Sequence, residues 1–187
     1  MKKFALSILF VSGIFVAGIS AQMMDDKGNP MVGGAAMYKT KNIVENAVNS
    51  KDHTTLVAAV KAAGLVETLQ SEGPFTVFAP VNSAFDALPA GTVETLLKSE
   101  NKATLTKVLT YHVVAGKWDA KAIAKAIKEG NGKATLKTVA GGNLTAWMDG
   151  KSLILSDEKG GKAKVTIADV RQSNGVIHVI DAVLLPN

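Results

Sequence analysis

The apolar residues of this chain change period once, near residue 130, and that change limits the fold more than any motif does. Before it they recur every three or four positions, as on a helix with one buried face; after it they alternate, as on a strand. In "NIVENAV", Ile43, Val44, Ala47 and Val48 share a face. Leu56, Val57, Val60 and Ala63 repeat the pattern, and Gly64 is placed to end that helix. "TVETLLKS" and "KATLTKVLTYH" predict two more short helices. "WDAKAIAKAIKEG" predicts a clean amphipathic one, capped by Asp119, with Ala120, Ile123, Ala124 and Ile127 inward and Gly130 at its end. Between them Phe75 to Phe78 reads as a buried strand stopped by Pro80, and Asn82 or Ser83 is placed to cap a helical turn carrying Phe85 and Leu88. The last third holds five short strands, "KATLKTVA", "NLTAWM", "KSLILS", "KVTIADV" and "NGVIHVIDAVLLP", with a hairpin turn at Asp149 and Gly150. Helices first and a mostly antiparallel sheet afterwards predict an α+β domain.

The first residues stand apart from this pattern. Lys2 and Lys3 precede an uncharged apolar stretch from Phe4 to Ile19, and Gly18, Ser20 and Ala21 end it. That layout predicts a signal peptide over 1–21, and the stretch is short for a membrane span of about 20 residues. A retained N-terminal anchor is the alternative. Residues 22–39 are rich in Gly, Asp, Asn and Met without a period, and read as a flexible leader. The folded domain is expected over 40–187. It contains no cysteine, so an exported chain must be held by packing alone, and zinc-thiolate and thiol chemistry are excluded.

The formal charge of +5 falls to +3 without Lys2 and Lys3. Of the 21 basic residues only Arg171 is an arginine. Nucleic-acid readers rely on arginine for bidentate contacts, so no nucleic-acid partner is expected. Lys117, Lys121, Lys125 and Lys128 lie along the outer side of the helix after Asp119. They read as a solvated face, or as a basic patch for acidic polysaccharide or lipid head groups.

Candidate chemistry is sparse. On a strand, Val176, His178 and Ile180 share one face while Ile177, Val179 and Asp181 share the other. Both faces are apolar, which predicts a central strand, and His178 and Asp181 cannot form a dyad within it. His178 is expected to be buried, neutral and hydrogen-bonded. His53, His112 and His178 show no metal-ligand spacing. No serine stands in a nucleophile-elbow context, and Asp25–Asp26 lacks the spacing of a calcium loop. Neither an enzyme nor a cofactor is expected.

Three segments together resemble the fasciclin domain: "FTVFAPVNSAF" at 75–85, "YHVVAG" at 111–116 and "NGVIHVIDAVLLP" at 174–186. They are similar to its two signature boxes and its tyrosine–histidine motif, in the family's order. The resemblance implies a β-sandwich or wedge with helices packed against it. It implies a non-enzymatic adhesion module, contacting surface or matrix polysaccharide or protein, with weak self-association as a further mode. Val81 stands where the family more often has a hydroxyl residue, and Ala182 where a larger side chain is common. Tyr111 is expected to fill core, and His112 to hydrogen-bond near the first box, to Asn82 or Ser83. The alternative function is a carrier holding a lipid or pigment between sheet and helices, lined by Trp118, Trp147 and methionines.

Overall fold

The computed structural model describes residues 23–187; the expected signal peptide lies outside them. A small hairpin, β1 (Met31–Val32) with β2 (Ala35–Ala36), precedes helices α1 (Ile43–Ala47), α2 (Thr54–Ala63) and α3 (Val66–Gln70). Strand β3 (Phe75–Pro80) follows, then α4 (Asn82–Asp86), α5 (Thr92–Leu96) and α6 (Lys102–Tyr111). Strand β4 (Val113–Ala115) leads to α7 (Ala120–Glu129). The chain ends in β5 (Ala134–Lys137), β6 (Asn143–Asp149), β7 (Ser152–Ser156), β8 (Lys162–Arg171) and β9 (Gly175–Ile180). The class is the α+β expected.

One seven-stranded sheet runs in the order β4-β3-β9-β8-β7-β6-β5. Its pairs are antiparallel except β3 with β9, which run parallel from Phe75 opposite Gly175 to Pro80 opposite Ile180. The sheet curls until its ends approach. Val114 bridges Thr138, and the Val139 amide donates to the Val113 carbonyl at 2.8 Å. The layers of the wedge are therefore one sheet folded towards itself.

Alternation divides the apolar residues between two cores. Val77 and Ala79 of β3 with Ile177 and Val179 of β9 face the helices and pack on Ile43, Val60, Leu69 and Leu109. Phe78 and Ile180 face inside the curl, against Leu136, Leu144, Leu155 and Ile123 of α7. Every residue of β9 is buried, so it is the central strand its composition predicts. Each fully buried side chain of this size contributes about 1.5–3 kcal/mol. Gly175 is required by the parallel pairing: a Cβ there would stand 2.1 Å from the Phe75 carbonyl oxygen.

Residues 23–39 differ from the flexible leader expected over 22–39. Val32 and Met37 are only 4% and 2% exposed and belong to the helix-side core. The hairpin turns at Gly33 (φ 57°), where a Cβ would meet Ser50 Oγ at 2.4 Å. Its composition is that of a loop, but two buried apolar side chains and the Lys51 amide, which donates to the Gly33 carbonyl at 3.1 Å, tie it to the helix side.

Candidate functional site

The motif residues are built into the frame by three separate polar arrangements. The first is at the end of α6. Tyr111 is the last residue of that helix and its ring is fully buried. Its hydroxyl donates to the Asn143 carbonyl at 2.7 Å and accepts from the Glu158 amide at 3.3 Å. Burial, with the Glu158 carboxylate beside it, pushes the phenol up to about 12. Tyr111 fills core as expected.

His112, the next residue, makes different bonds from those expected. Its Nδ1 lies 2.9 Å from the Val108 carbonyl, and its Nε2 accepts the Leu184 amide at 3.0 Å. That pairing requires the neutral ring with its proton on Nδ1. Burial pushes its pKa down to about 4, against the opposing pull of the Val108 carbonyl and Asp157. The bond to Asn82 or Ser83 is absent because His112 ends a helix: its ring folds back on the preceding turn.

Asn82 forms the second arrangement. It does not cap its own helix; Val81 occupies that position, with no side-chain bond. Instead Asn82 Oδ1 accepts the Thr55 amide at 3.1 Å and the Thr54 hydroxyl at 3.2 Å, while Nδ2 donates to the Lys51 carbonyl at 2.8 Å. It caps α2 from outside, supplying what the N-cap His53 does not.

His178 anchors the third. Its Nε2 donates to the Trp118 carbonyl at 2.7 Å, and its Nδ1 receives the Asp169 amide at 3.4 Å. The ring stacks on Phe78 with centroids 5.6 Å apart. Burial lowers its pKa, opposed by the Trp118 carbonyl and the carboxylates of Asp169 and Asp119. Asp169 stands at an irregularity of β8, with φ 59°, and its Oδ1 accepts the Ala120 amide at 2.7 Å. Asp119 accepts the Ala122 amide at 2.9 Å, as its capping position predicts. Asp181 is exposed and bonds the Lys164 amide instead of any histidine.

Sequence reasoning missed Asn174, which holds three elements together. Its Oδ1 accepts the Ile43 amide at 3.0 Å, and its Nδ2 donates to the carbonyls of Leu69 and Ser71 at 2.8 and 3.0 Å. Asn174 stands at the head of a segment that reads as a strand, which hides this role. Among the described residues no three His, Asp or Glu are grouped to hold a metal, and no helix is long and apolar enough to cross a membrane.

One surface and one space stand apart from these arrangements and bear on the expectations above. Lys117, Lys121, Lys125 and Lys128 are exposed along α7, and Lys125 lies 3.7 Å from Glu129. Between the helices and the sheet is a cavity of about 90 Å³, lined by apolar side chains such as Leu56, Val60 and Ile177. His53 borders it, 3% exposed; its Nδ1 is 2.9 Å from Ser50 Oγ, while its Nε2 has no hydrogen-bond partner among the described residues. The Ala79 backbone is near enough to favour the protonated ring, but burial dominates and lowers the pKa. A buried water needs two to four polar partners, and this wall offers too few to hold one.

A Fasciclin domain family model matches residues 51–186. Protein sll1483 of Synechocystis is 51% identical over 167 residues, covering 89% of this chain and 85% of that protein. Immunogenic protein MPB70 of Mycobacterium bovis is 39% identical over 145 residues, covering 75% of this chain and 66% of that protein. Among solved structures, a FAS1 domain pair from the insect cell adhesion molecule Fasciclin I is similar with a TM-score of 0.68 at 17% identity. That match covers 76% of this chain and 50% of the solved one.

Proposed function

This chain belongs to the fasciclin domain family, and from that premise we propose that it is an exported, non-enzymatic interaction module. Its partner is a surface polysaccharide or an envelope or matrix protein, met after removal of residues 1–21, in the periplasm or outside the cell. Weak self-association belongs to the same reading. One observation carries it: Tyr111, His112, Asn82 and His178 all spend their polar atoms on groups of their own fold. Residues so committed hold a scaffold, and the chemistry left for a partner is on the exposed surface. The lysines of α7 are one such surface.

A carrier is the second reading, favoured by the apolar cavity between helices and sheet. Its volume of about 90 Å³ is below that of the roughly 150 Å³ apolar cavity known to accept benzene. A lipid or pigment would have to displace core side chains, so the guest of this reading is a small apolar molecule.

Native mass spectrometry of the chain purified from its own cells tests both. A mass of residues 22–187, alone or in whole multiples, is expected. Additional mass released on unfolding would favour the carrier, and a mass retaining residues 1–21 would overturn processing.

A further inference from the structure

The outward face of β6, β7 and β8 takes no part in the arrangements above. Strand alternation sends Leu144, Ala146, Leu155 and Ala163 into the core, so their neighbours point to solvent. Register aligns those neighbours in two rows. Trp147 stands opposite Ile154, and Ile154 opposite Lys164; Thr145 stands opposite Ser156, and Ser156 opposite Lys162. At a strand spacing of about 4.8 Å each row is roughly 10 Å long. Trp147 is half-buried, and Lys162 places its Nζ 5.8 Å from the indole centroid. The hydroxyls of Thr145 and Ser156 and the Lys164 ammonium have no partner among the described residues. Three exposed acids border this face: Asp149 at the far end of β6, Glu158 at the Asn143 amide and Asp181 at the Lys164 amide; none of them lies in the two rows.

We propose that this face binds an acidic polysaccharide. An indole lying along a sheet offers an apolar platform to the C–H face of a pyranose ring. The ammonium groups of Lys162 and Lys164 neutralise a carboxylate or sulfate carried by that sugar or the next. Hydroxyl groups two strands wide can exchange hydrogen bonds with the sugar's own hydroxyls. A neutral glycan would leave both lysines unmatched. Nucleic acid would find no arginine here for bidentate phosphate contacts. The inference rests on the interaction-module reading and adds to it a surface and a partner chemistry. The surface is distinct from the lysines of α7.

The test is affinity electrophoresis of the purified chain in gels containing alginate, a polyuronate, or neutral dextran. Three variants accompany it: Trp147→Ala, the double Lys162→Gln/Lys164→Gln, and the α7 triple Lys121→Gln/Lys125→Gln/Lys128→Gln. All change solvent-facing positions, and thermal melts confirm that each is folded. The expected result is retardation by alginate and not by dextran, weakened about tenfold by either sheet variant and little by the α7 triple. Fluorescence of a Trp118→Phe variant, with Trp147 as its remaining tryptophan, should shift on adding alginate. Retardation kept by Trp147→Ala but abolished by the α7 triple would overturn the surface while leaving a polysaccharide partner in place. Equal retardation by dextran would overturn the acidic class, and stronger binding to an oligonucleotide would overturn the polysaccharide. Absence of retardation by any polymer would overturn the inference; binding of the same sample to its own cells would then preserve the broader module.

Discussion

The Nε2 of His112 accepts the backbone amide of Leu184 at 3.0 Å, joining the end of α6 to the final residues of the chain across 72 positions of sequence. Both partners are buried, and the second ring nitrogen is held by Val108. Replacing His112 by Ala strips a donor and an acceptor of their partners at once. The expected loss is about 2–4 kcal/mol, or a Tm lower by roughly 5–12 °C in a chain of this size. A thermal melt checks this. Polymer binding by the folded fraction should be unchanged, and binding lost with an unchanged melt would make His112 a contact residue instead.

Acid should weaken the fold through the same ring. The folded pKa of about 4 lies below the usual histidine value of about 6.5. Between these values the unfolded chain binds a proton that the folded chain refuses, so stability rises with pH there. It is fully present above about pH 6.5 and is lost as pH falls towards about 4, by roughly 3 kcal/mol for His112. His178 and His53, also lowered by burial, act in the same direction. Urea midpoints across this range should fall on acidification. The slope should be shallower in His112→Gln, and a midpoint flat across the range would contradict the assignment.

Asn82→Ala should cost about 1–2 kcal/mol, because it uncaps a helix other than its own. The amide of Thr55 should then exchange with deuterium faster, while α4 keeps its protection. Faster exchange confined to α4 would mean that Asn82 serves its own helix after all.

The hairpin before α1 should matter to stability despite its loop-like composition. Val32→Ala or Met37→Ala should each cost about 2–4 kcal/mol by opening a void in the helix-side core. Gly33→Ala should also destabilise, since its Cβ would collide with Ser50 Oγ. Denaturation midpoints equal to the parent chain would restore the picture of a free leader.

The α7 lysines should be silent in the same assay. Lys121→Gln, Lys125→Gln and Lys128→Gln together should change stability by less than about 1 kcal/mol, since exposed charges contribute little. A larger loss would show that the Lys125–Glu129 pair is structural.

Local pattern was enough for some of this. The helix ending at Glu129 and its Asp119 cap, the burial of β9 and the neutral His178 all follow from period and neighbours. What the pattern does not carry is the choice of distant partner. Asn82 reads as the start of a helix, and only packing of α4 beside α2 turns its amide towards Thr55, 27 residues earlier. His112 reads as the end of a helix, and the C-terminal segment decides its bond. Val32 and Met37 carry no period because a two-residue strand is too short to show one. The outward row of Trp147, Ile154 and Lys164 needs the register of three strands, which alternation within each strand leaves free.

The parallel pairing of β3 with β9 also sets an order of events. Gly175 to Ile180 is a late segment inserted between an early strand, Phe75 to Pro80, and β8. A chain leaving the ribosome cannot complete its sheet until Ile180 has emerged, because roughly a hundred residues separate the paired strands. Until then neither apolar core has its central wall. The gap between β3 and β8 is filled only when β9 arrives, and both cores close in that one step.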